Sequence, residues 1–225
     1  MSQLHRGVLE KYMVVAVVPL KNLKLAKSRL SNILAEGERK ELVLAMFDDV
    51  LVSLRASHFI DEIFIVADKY FDPVADVQLI TEIKNRGYDE AIVEALKDSR
   101  INQAQAMLIL PADLPLVSRD ELNTLIKDQE DRSIRIAGAR DQDGTNALVM
   151  KPPHLLATSF GVGSFKRHKK FAKALSVKIE EVNLPGLSFD VDTEKDLIDF
   201  VQTKSDTRTY RFLDESGIIG RLNNL

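Results

Sequence analysis

The chain has 225 residues, 45% of them hydrophobic, with 31 lysines and arginines against 34 aspartates and glutamates for a formal charge of −3. An apolar share of that size excludes a disordered chain, and the slightly acidic balance argues against nonspecific nucleic-acid binding. There is no cysteine, which excludes disulfides, zinc–thiolate sites, iron–sulfur clusters and cysteine nucleophiles.

Met13–Val18 is a continuous β-branched run closed by Pro19, the pattern of a central parallel strand buried on both faces. Lys21–Arg29 is polar and basic. Glu38–Leu54 places Leu42, Met46, Val50 and Leu54 four residues apart, which predicts a helix with one apolar face. Glu62–Ala67 reads as a second buried strand, and Asp76–Ile83 holds a weaker third. Asp89–Leu96 reads as a helix with Ile92, Val93 and Leu96 inward. Ala106–Leu110 is a further buried strand, closed by Pro111. Ser118–Ile126 is a helix with Ser118 as N-cap and Glu121 completing a capping box. Ile134–Ala139 and Asn146–Met150 are strands flanking the loop Asp141–Thr145. Ser164–Leu175 is a basic helix, Val177–Val182 a short strand, and Thr193–Val201 a helix with Asp192 as candidate N-cap.

This alternation predicts an α/β fold with a mostly parallel sheet flanked by helices, the strand after Asp143 breaking the regularity. Residues 1–203 form one domain. Residues 204–225 form a tail with Tyr210, Leu213 and Ile218 on one apolar face, packed on the domain or on the partner subunit of a homodimer. The longest apolar runs are too short for a bilayer and the N-terminus lacks an apolar signal core, so no membrane partner and a cytoplasmic location are expected.

Charge is segregated. Between Lys11 and Ala35 there is no acid but there are Lys11, Lys21, Lys24, Lys27 and Arg29. Between Gly144 and Ile179 there is again none, against Lys151, Lys166, Arg167, Lys169, Lys170, Lys173 and Lys178. Two such stretches beside strand ends predict a strongly anionic ligand between them. The glycine patterns of P-loops and dinucleotide folds are missing, so the expected phosphate holders are side-chain cations and the helix start at Gly161-Val-Gly163-Ser164. His168 lies one turn past Ser164, within reach of a phosphate, although a lone histidine is more often a surface residue.

Asp113 stands directly after a buried strand, between Pro111 and Pro115, and Asp190 and Asp192 precede a helix. Hard oxygen ligands without cysteine suit Mg2+, which takes one or two carboxylates plus substrate phosphates. An unpaired Asp113 near other acids is expected to cost stability rather than support the fold.

The segments Val18-Pro19-Leu-Lys21 to Ala26-Lys27-Ser28-Arg29-Leu30, Pro111-Ala-Asp113-Leu-Pro115, Gly144-Thr145-Asn146-Ala147-Leu148, Phe160-Gly-Val-Gly-Ser164-Phe165 with His168, and Asp190-Val-Asp192-Thr193 resemble the 2-phospho-L-lactate guanylyltransferases of coenzyme F-420 biosynthesis, from about Met13 to Val201. The resemblance implies a nucleotidyltransferase fold of the Rossmann-like, nucleotide-diphospho-sugar transferase type. It implies transfer of GMP from GTP to 2-phospho-L-lactate with release of pyrophosphate, or the same reaction on phosphoenolpyruvate or another phosphorylated metabolite. A nucleotide-binding regulatory protein without catalysis is the alternative from another class. By the resemblance Pro19, Leu20, Lys21, Gly87, Asp89 and Ala91 bind the nucleotide, and Lys21, Lys27 and Arg29 neutralise the triphosphate. Asp113, Asp190 and Asp192 hold Mg2+, and Thr145, Gly161 and Ser164 bind the phosphorylated three-carbon acid. Where the family has Gly-Leu-Asn near the base, this chain has Gly87-Tyr88-Asp89. The nucleophile is a phosphate already ionised near neutral pH, so cations and in-line positioning are needed rather than a general base.

Overall fold

The structure, a computed structural model, describes residues 13–20, 27–72, 74–82 and 87–224. Strands β1 (Val14–Pro19), β2 (Glu62–Asp68), β3 (Gln78–Glu82), β4 (Ala106–Ile109), β5 (Ser133–Gly138), β6 (Thr145–Lys151) and β7 (Lys178–Glu181) form a single sheet in the order β3-β2-β1-β4-β6-β5-β7. β1 pairs in parallel with β2 and β4, β2 with β3, and β5 with β7, whereas β6 runs antiparallel to both β4 and β5. The break in regularity has a simple cause. Residues 139–144 close a tight turn, with Gln142 N–H on Ala139 O and Ala139 N–H on Gly144 O, and so short a connection admits only an antiparallel return.

β1 is wholly buried, and its side chains alternate between two cores. Val14, Ala16 and Val18 face α1 (Glu36–Ala56), α4 (Arg119–Ile126), α7 (Glu194–Gln202), α8 (Arg208–Glu215) and α9 (Ile218–Leu222). Val15 and Val17 face α2 (Tyr88–Ala95), α3 (Ser99–Asn102) and α5 (Ser164–Ala174). The short α6 (Pro185–Ser188) links β7 to α7. Two helix readings change. α2 turns Ala91, Ile92 and Ala95 to the sheet and leaves Val93 58% exposed, because one further residue rotates about 100° off that face. α7 is capped by Thr193, which accepts from Asp196 N–H while Asp196 accepts from Thr193 N–H, so the Asp192 carboxylate is not the cap. The capping box of Ser118 and Glu121 opens α4. Among the described residues no helix is long and apolar enough to cross a membrane.

α8 and α9 lie against α1, with Leu213, Ile218 and Leu222 buried. The attachment is also polar. Asp49, in the body of α1, accepts from the N–H groups of Arg208 (2.7 Å) and Thr209 (2.9 Å) and from the buried Thr209 hydroxyl (2.6 Å), so one carboxylate serves the first turn of another helix. Asp49→Ala leaves those donors unpaired and should lower unfolding stability by about 1–3 kcal/mol in urea titrations; an unchanged midpoint would show that α8 is held by apolar packing alone.

Candidate active site

A cleft of about 450 Å3 opens where β1 and β4 end and β6 begins, the C-terminal edge of the parallel strands at which α/β sheets take their ligands. Asp113, Thr145, Asn146, Phe160, Gly161 and Asp190 are among its walls. A larger groove of about 660 Å3 lies between α1, α8 and residues 70–72 and 74, and none of the described residues expected to carry chemistry lines it.

The floor of the cleft is organised by Lys27. This residue takes a left-handed conformation (φ 51°, ψ 41°) just before the 3-10 turn Ser28–Leu30. Its ammonium is buried between Asp113 Oδ2 (2.7 Å) and Asp192 Oδ1 (2.5 Å). Burial alone would lower the lysine pKa, but the two carboxylates outweigh it and hold the group well above the ordinary lysine range. The second acidic segment is aligned by its backbone, Val191 N–H donating to Asp113 O at 3.2 Å. Asp190 accepts from the Asn146 amide at 3.1 Å. Burial raises its pKa, the Asn146 bond offsets part of that, and the charges of Asp113 and Asp192 raise it further. Arg29 stands exposed at the rim, 4.0 Å from Asp192. One expectation changes here. Asp113 is ion-paired, so it supports the fold; Asp192 directs Oδ1 at Lys27 as Asp113 directs Oδ2.

The residues present fit Mg2+ in one form. Asp113 and Asp190 both line the cleft and repel each other, a hard-oxygen pair that a divalent ion completed by phosphate and water would relieve. A cage of three acids is not formed: among the described residues no group of three aspartates, glutamates or histidines converges on one point.

The opposite wall is built on β6 and α5. His168 is fully buried, contrary to the surface position expected of it. Its Nε2 accepts from Ser159 N–H (2.9 Å), which places the ring hydrogen on Nδ1, donating to Thr145 Oγ1 (3.0 Å). Ser164 Oγ donates to the same oxygen at 3.2 Å. A hydroxyl that accepts twice has its own hydrogen left to give, and Thr145 lines the cleft. Ser164 itself lies behind Thr145 with no exposed surface.

The start of α5 does not await a phosphate. Gly163, at φ 72°, is its cap, and its N–H donates to Asp143 Oδ2 (2.9 Å); Ser164 N–H bonds to Gly161 O and Phe165 N–H to Asp143 O. Nor do the basic residues of this half face the cleft: Lys169 pairs with Glu181, Lys178 with Glu130, and Lys151 with Asp131. Cationic side chains on the cleft, among the described residues, are Arg29 and Arg140. Arg140 is tied to Asp196 and Asp199 and stacks 4.1 Å over Phe189.

Residues 159–162 form a lip of the cleft that is held from behind. Both Asp89 oxygens accept from Phe160 N–H, at 3.0 and 3.2 Å. Arg167 donates to Ser159 O (2.9 Å), Phe160 O (3.1 Å), Ser159 Oγ (2.9 Å) and Val162 O. Tyr88, a further cleft residue, packs its ring 4.6 Å from that of Phe160. Of the residues expected at the nucleotide, Pro19 and Leu20 end β1, with Leu20 buried; Gly87, at φ 124°, caps α2; and Ala91 is core. Lys21 lies outside the described residues. Asn146, Arg140, Tyr88 and Asp143 were not singled out by type or spacing. The positive-φ turn at Gly161 and Gly163 is the one feature that pointed to the Asp143 contact.

Burial moves the His168 pKa from 6.5 down to about 4. The folded state therefore binds fewer protons than the unfolded chain. The contribution is complete above pH 6.5 and is lost as pH falls towards 4, in all about 3 kcal/mol. Urea midpoints of the wild type should fall across that window more steeply than those of His168→Gln; parallel curves would place the acid sensitivity elsewhere.

Over residues 14–223 the chain matches the family described as "Guanylyl transferase CofC like". It is 34% identical over 193 residues to a phosphoenolpyruvate guanylyltransferase of Sphaerobacter thermophilus, covering 81% of this chain and 90% of that one. It is 27% identical over 206 residues to a 2-phospho-L-lactate guanylyltransferase of Methanobrevibacter smithii, covering 90% of each. Among solved structures, a provisionally assigned nucleotide-diphospho-sugar transferase from Desulfovibrio desulfuricans G20 superposes with a TM-score of 0.72 at 15% identity, over 93% of this chain and 97% of that one. That likeness shows the nucleotidyltransferase type of fold, while the match over nearly the whole described chain carries the assignment: this protein belongs to the CofC-like guanylyltransferase family.

Proposed function

We propose that this chain transfers GMP from GTP to the phosphate of a phosphorylated three-carbon acid. Phosphoenolpyruvate is the favoured acceptor, since the relative that is 34% identical is named for it, and 2-phospho-L-lactate, named in the relative at 27%, is the other candidate. Either product is a precursor for coenzyme F-420, and a reaction between GTP and such an acid belongs in the cytoplasm.

The observation that carries the reading is the pairing of two unlike walls across one cleft. One wall gathers Asp113 and Asp192 around the Lys27 ammonium, with Asp190 beside them and Arg29 at the rim; the other presents the Thr145 hydroxyl as a donor. Among the described residues no histidine–serine couple faces the cleft, and His168 is spent on holding Thr145. That suits a nucleophile that arrives ionised. The barrier to be lowered is repulsion between two anions, and preorganised charge lowers it. Lys27 fixes Asp113 and Asp192 in place and has one donor beyond those two bonds. Arg29 is the cation placed for the triphosphate. Thr145, oriented by His168 and Ser164, donates to an oxygen of the acceptor. Mg2+, when held by Asp113 and Asp190, supplies charge neutralisation at the phosphate oxygens. The alternative of a regulatory protein without catalysis gains nothing from the geometry, because the acids at the strand ends are assembled rather than eroded.

Pyrophosphate release from purified protein, Mg2+, each nucleoside triphosphate and each phospho-acid tests the reading. Turnover is expected with GTP and phosphoenolpyruvate, with ATP at least tenfold poorer. Comparable rates with ATP would sink the guanylyl assignment, and binding of GTP without turnover would favour the regulatory alternative.

Asp113→Asn should lower kcat about 10²-fold or more, as expected for a lost preorganised charge. It should also cost about 1–3 kcal/mol of stability, because the buried Lys27 ammonium keeps only Asp192. A variant that is as stable as the wild type and turns over at a near wild-type rate would remove Asp113 from the site.

A further inference from the structure

The lip at residues 159–162 has no secondary structure of its own to hold it, yet almost every polar group along it is engaged. Phe160 N–H is bound by both oxygens of Asp89 from α2, Ser159 N–H by His168 from α5, and the carbonyls of Ser159, Phe160 and Val162 by the single guanidinium of Arg167. Phe160 is packed between Tyr88 (4.6 Å) and the His168 ring (5.0 Å). Gly161, at φ 95°, then turns the chain into the cleft, and Val162 stands 81% exposed there. An exposed valine on an immobilised turn is a wall, not a lid.

Which substrate meets that wall follows from the groups across the cleft from it. A triphosphate needs cations, and Arg29 supplies one at the rim on the β1 side of the cleft. Among the described residues the lip side offers none, since Arg167 is consumed by the lip's own carbonyls and oxygens. With Thr145 donating to the acceptor, as the proposed function has it, the room between the lip and Thr145 is left for the second, smaller substrate. Asp89 does not line the cleft, and its carboxylate is turned to Phe160 N–H rather than presented to a guanine edge there.

We propose that Asp89, with Arg167, is a positioning residue for the acceptor: it sets the wall that selects the phosphorylated acid and takes no part in reading the base. The proposal rests on the function given above. Asn at position 89 would keep one oxygen to accept from Phe160 N–H; Ala would keep none.

The test is steady-state kinetics of Asp89→Ala, Asp89→Asn and Arg167→Lys with phosphoenolpyruvate, GTP and ATP, beside calorimetric titration of each protein with phosphoenolpyruvate in the presence of Mg2+ and GDP. Asp89→Ala should raise the acceptor KM about tenfold or more, leave the GTP KM and the preference for GTP over ATP within twofold, and be rescued largely by Asp89→Asn. Arg167→Lys, on a different helix, keeps the charge, loses the fork and should show the same split, so the outcome survives if one alanine variant fails to fold. A shift in the GTP KM or in base preference overturns the proposal, as does an Asn variant as impaired as Ala. The calorimetry separates the two claims. Wild type that binds the acid without releasing pyrophosphate overturns the proposed function, and equal binding of the acid by wild type and Asp89→Ala overturns the role of Asp89.

Discussion

Two carboxylates cannot be drawn together at the end of a sheet, with a third beside them, unless something cationic stands between them, and here that is the ammonium of Lys27. Asp113 arrives on the β4 exit, Asp192 on the approach to α7, and Lys27 from the β1 exit, so the ion pairs at 2.7 and 2.5 Å lock together segments far apart in the chain. The lysine is held in a left-handed conformation that costs a non-glycine residue about 1 kcal/mol. Two buried ion pairs are what offset that cost. The neutralisation is incomplete, and the surplus falls on Asp190, whose pKa is raised by burial and by the acids beside it. A site that keeps a negative surplus in a cleft open to solvent is one that favours a cation bound with its substrate.

The far wall solves a different problem, which is to fix a neutral hydroxyl in one orientation. His168 can do so because its tautomer is dictated by Ser159 N–H, and Ser164 adds a second donor to Thr145. The beginning of α5, which in many folds receives the ligand's phosphate, is instead satisfied by Asp143 from the β5–β6 turn. Helix, turn and lip thereby become one rigid piece. The cleft combines a charged floor with a wall whose hydrogen bonds are internally complete, and the acceptor is left to meet few, oriented groups.

Much of this was legible from residue pattern. The continuous apolar runs announced β1, β2 and β4, the four-residue spacing announced α1, and Pro111 and Pro115 marked Asp113. What pattern could not show were pairings between distant segments. Lys27 read as a triphosphate ligand because nothing local reveals that Asp113 and Asp192 flank it. The basic run on α5 looked like an anion site because Glu181, the partner of Lys169, belongs to β7. His168 looked like a surface residue because its burial depends on a loop that folds back from residue 159. Asp192 looked like a helix cap because Asp and Thr are equally good caps and stand side by side; only the register of α7 chose Thr193.

The position of β1 has a consequence for how the chain is made. It is the first of the described strands and wholly buried, yet it lies in the middle of the sheet between β2 and β4. The bond from Met13 N–H to Gln105 on the β4 side spans 92 residues. At ribosomal rates of roughly 5–20 residues per second, β1 has emerged some 5–20 s before its β4 edge can be covered. During that interval a flat, β-branched segment is protected on one side at best, by β2 and α1. The growing polypeptide is thus most exposed to self-association before β4 leaves the ribosome, and any chaperone that protects nascent chains would find its target in β1.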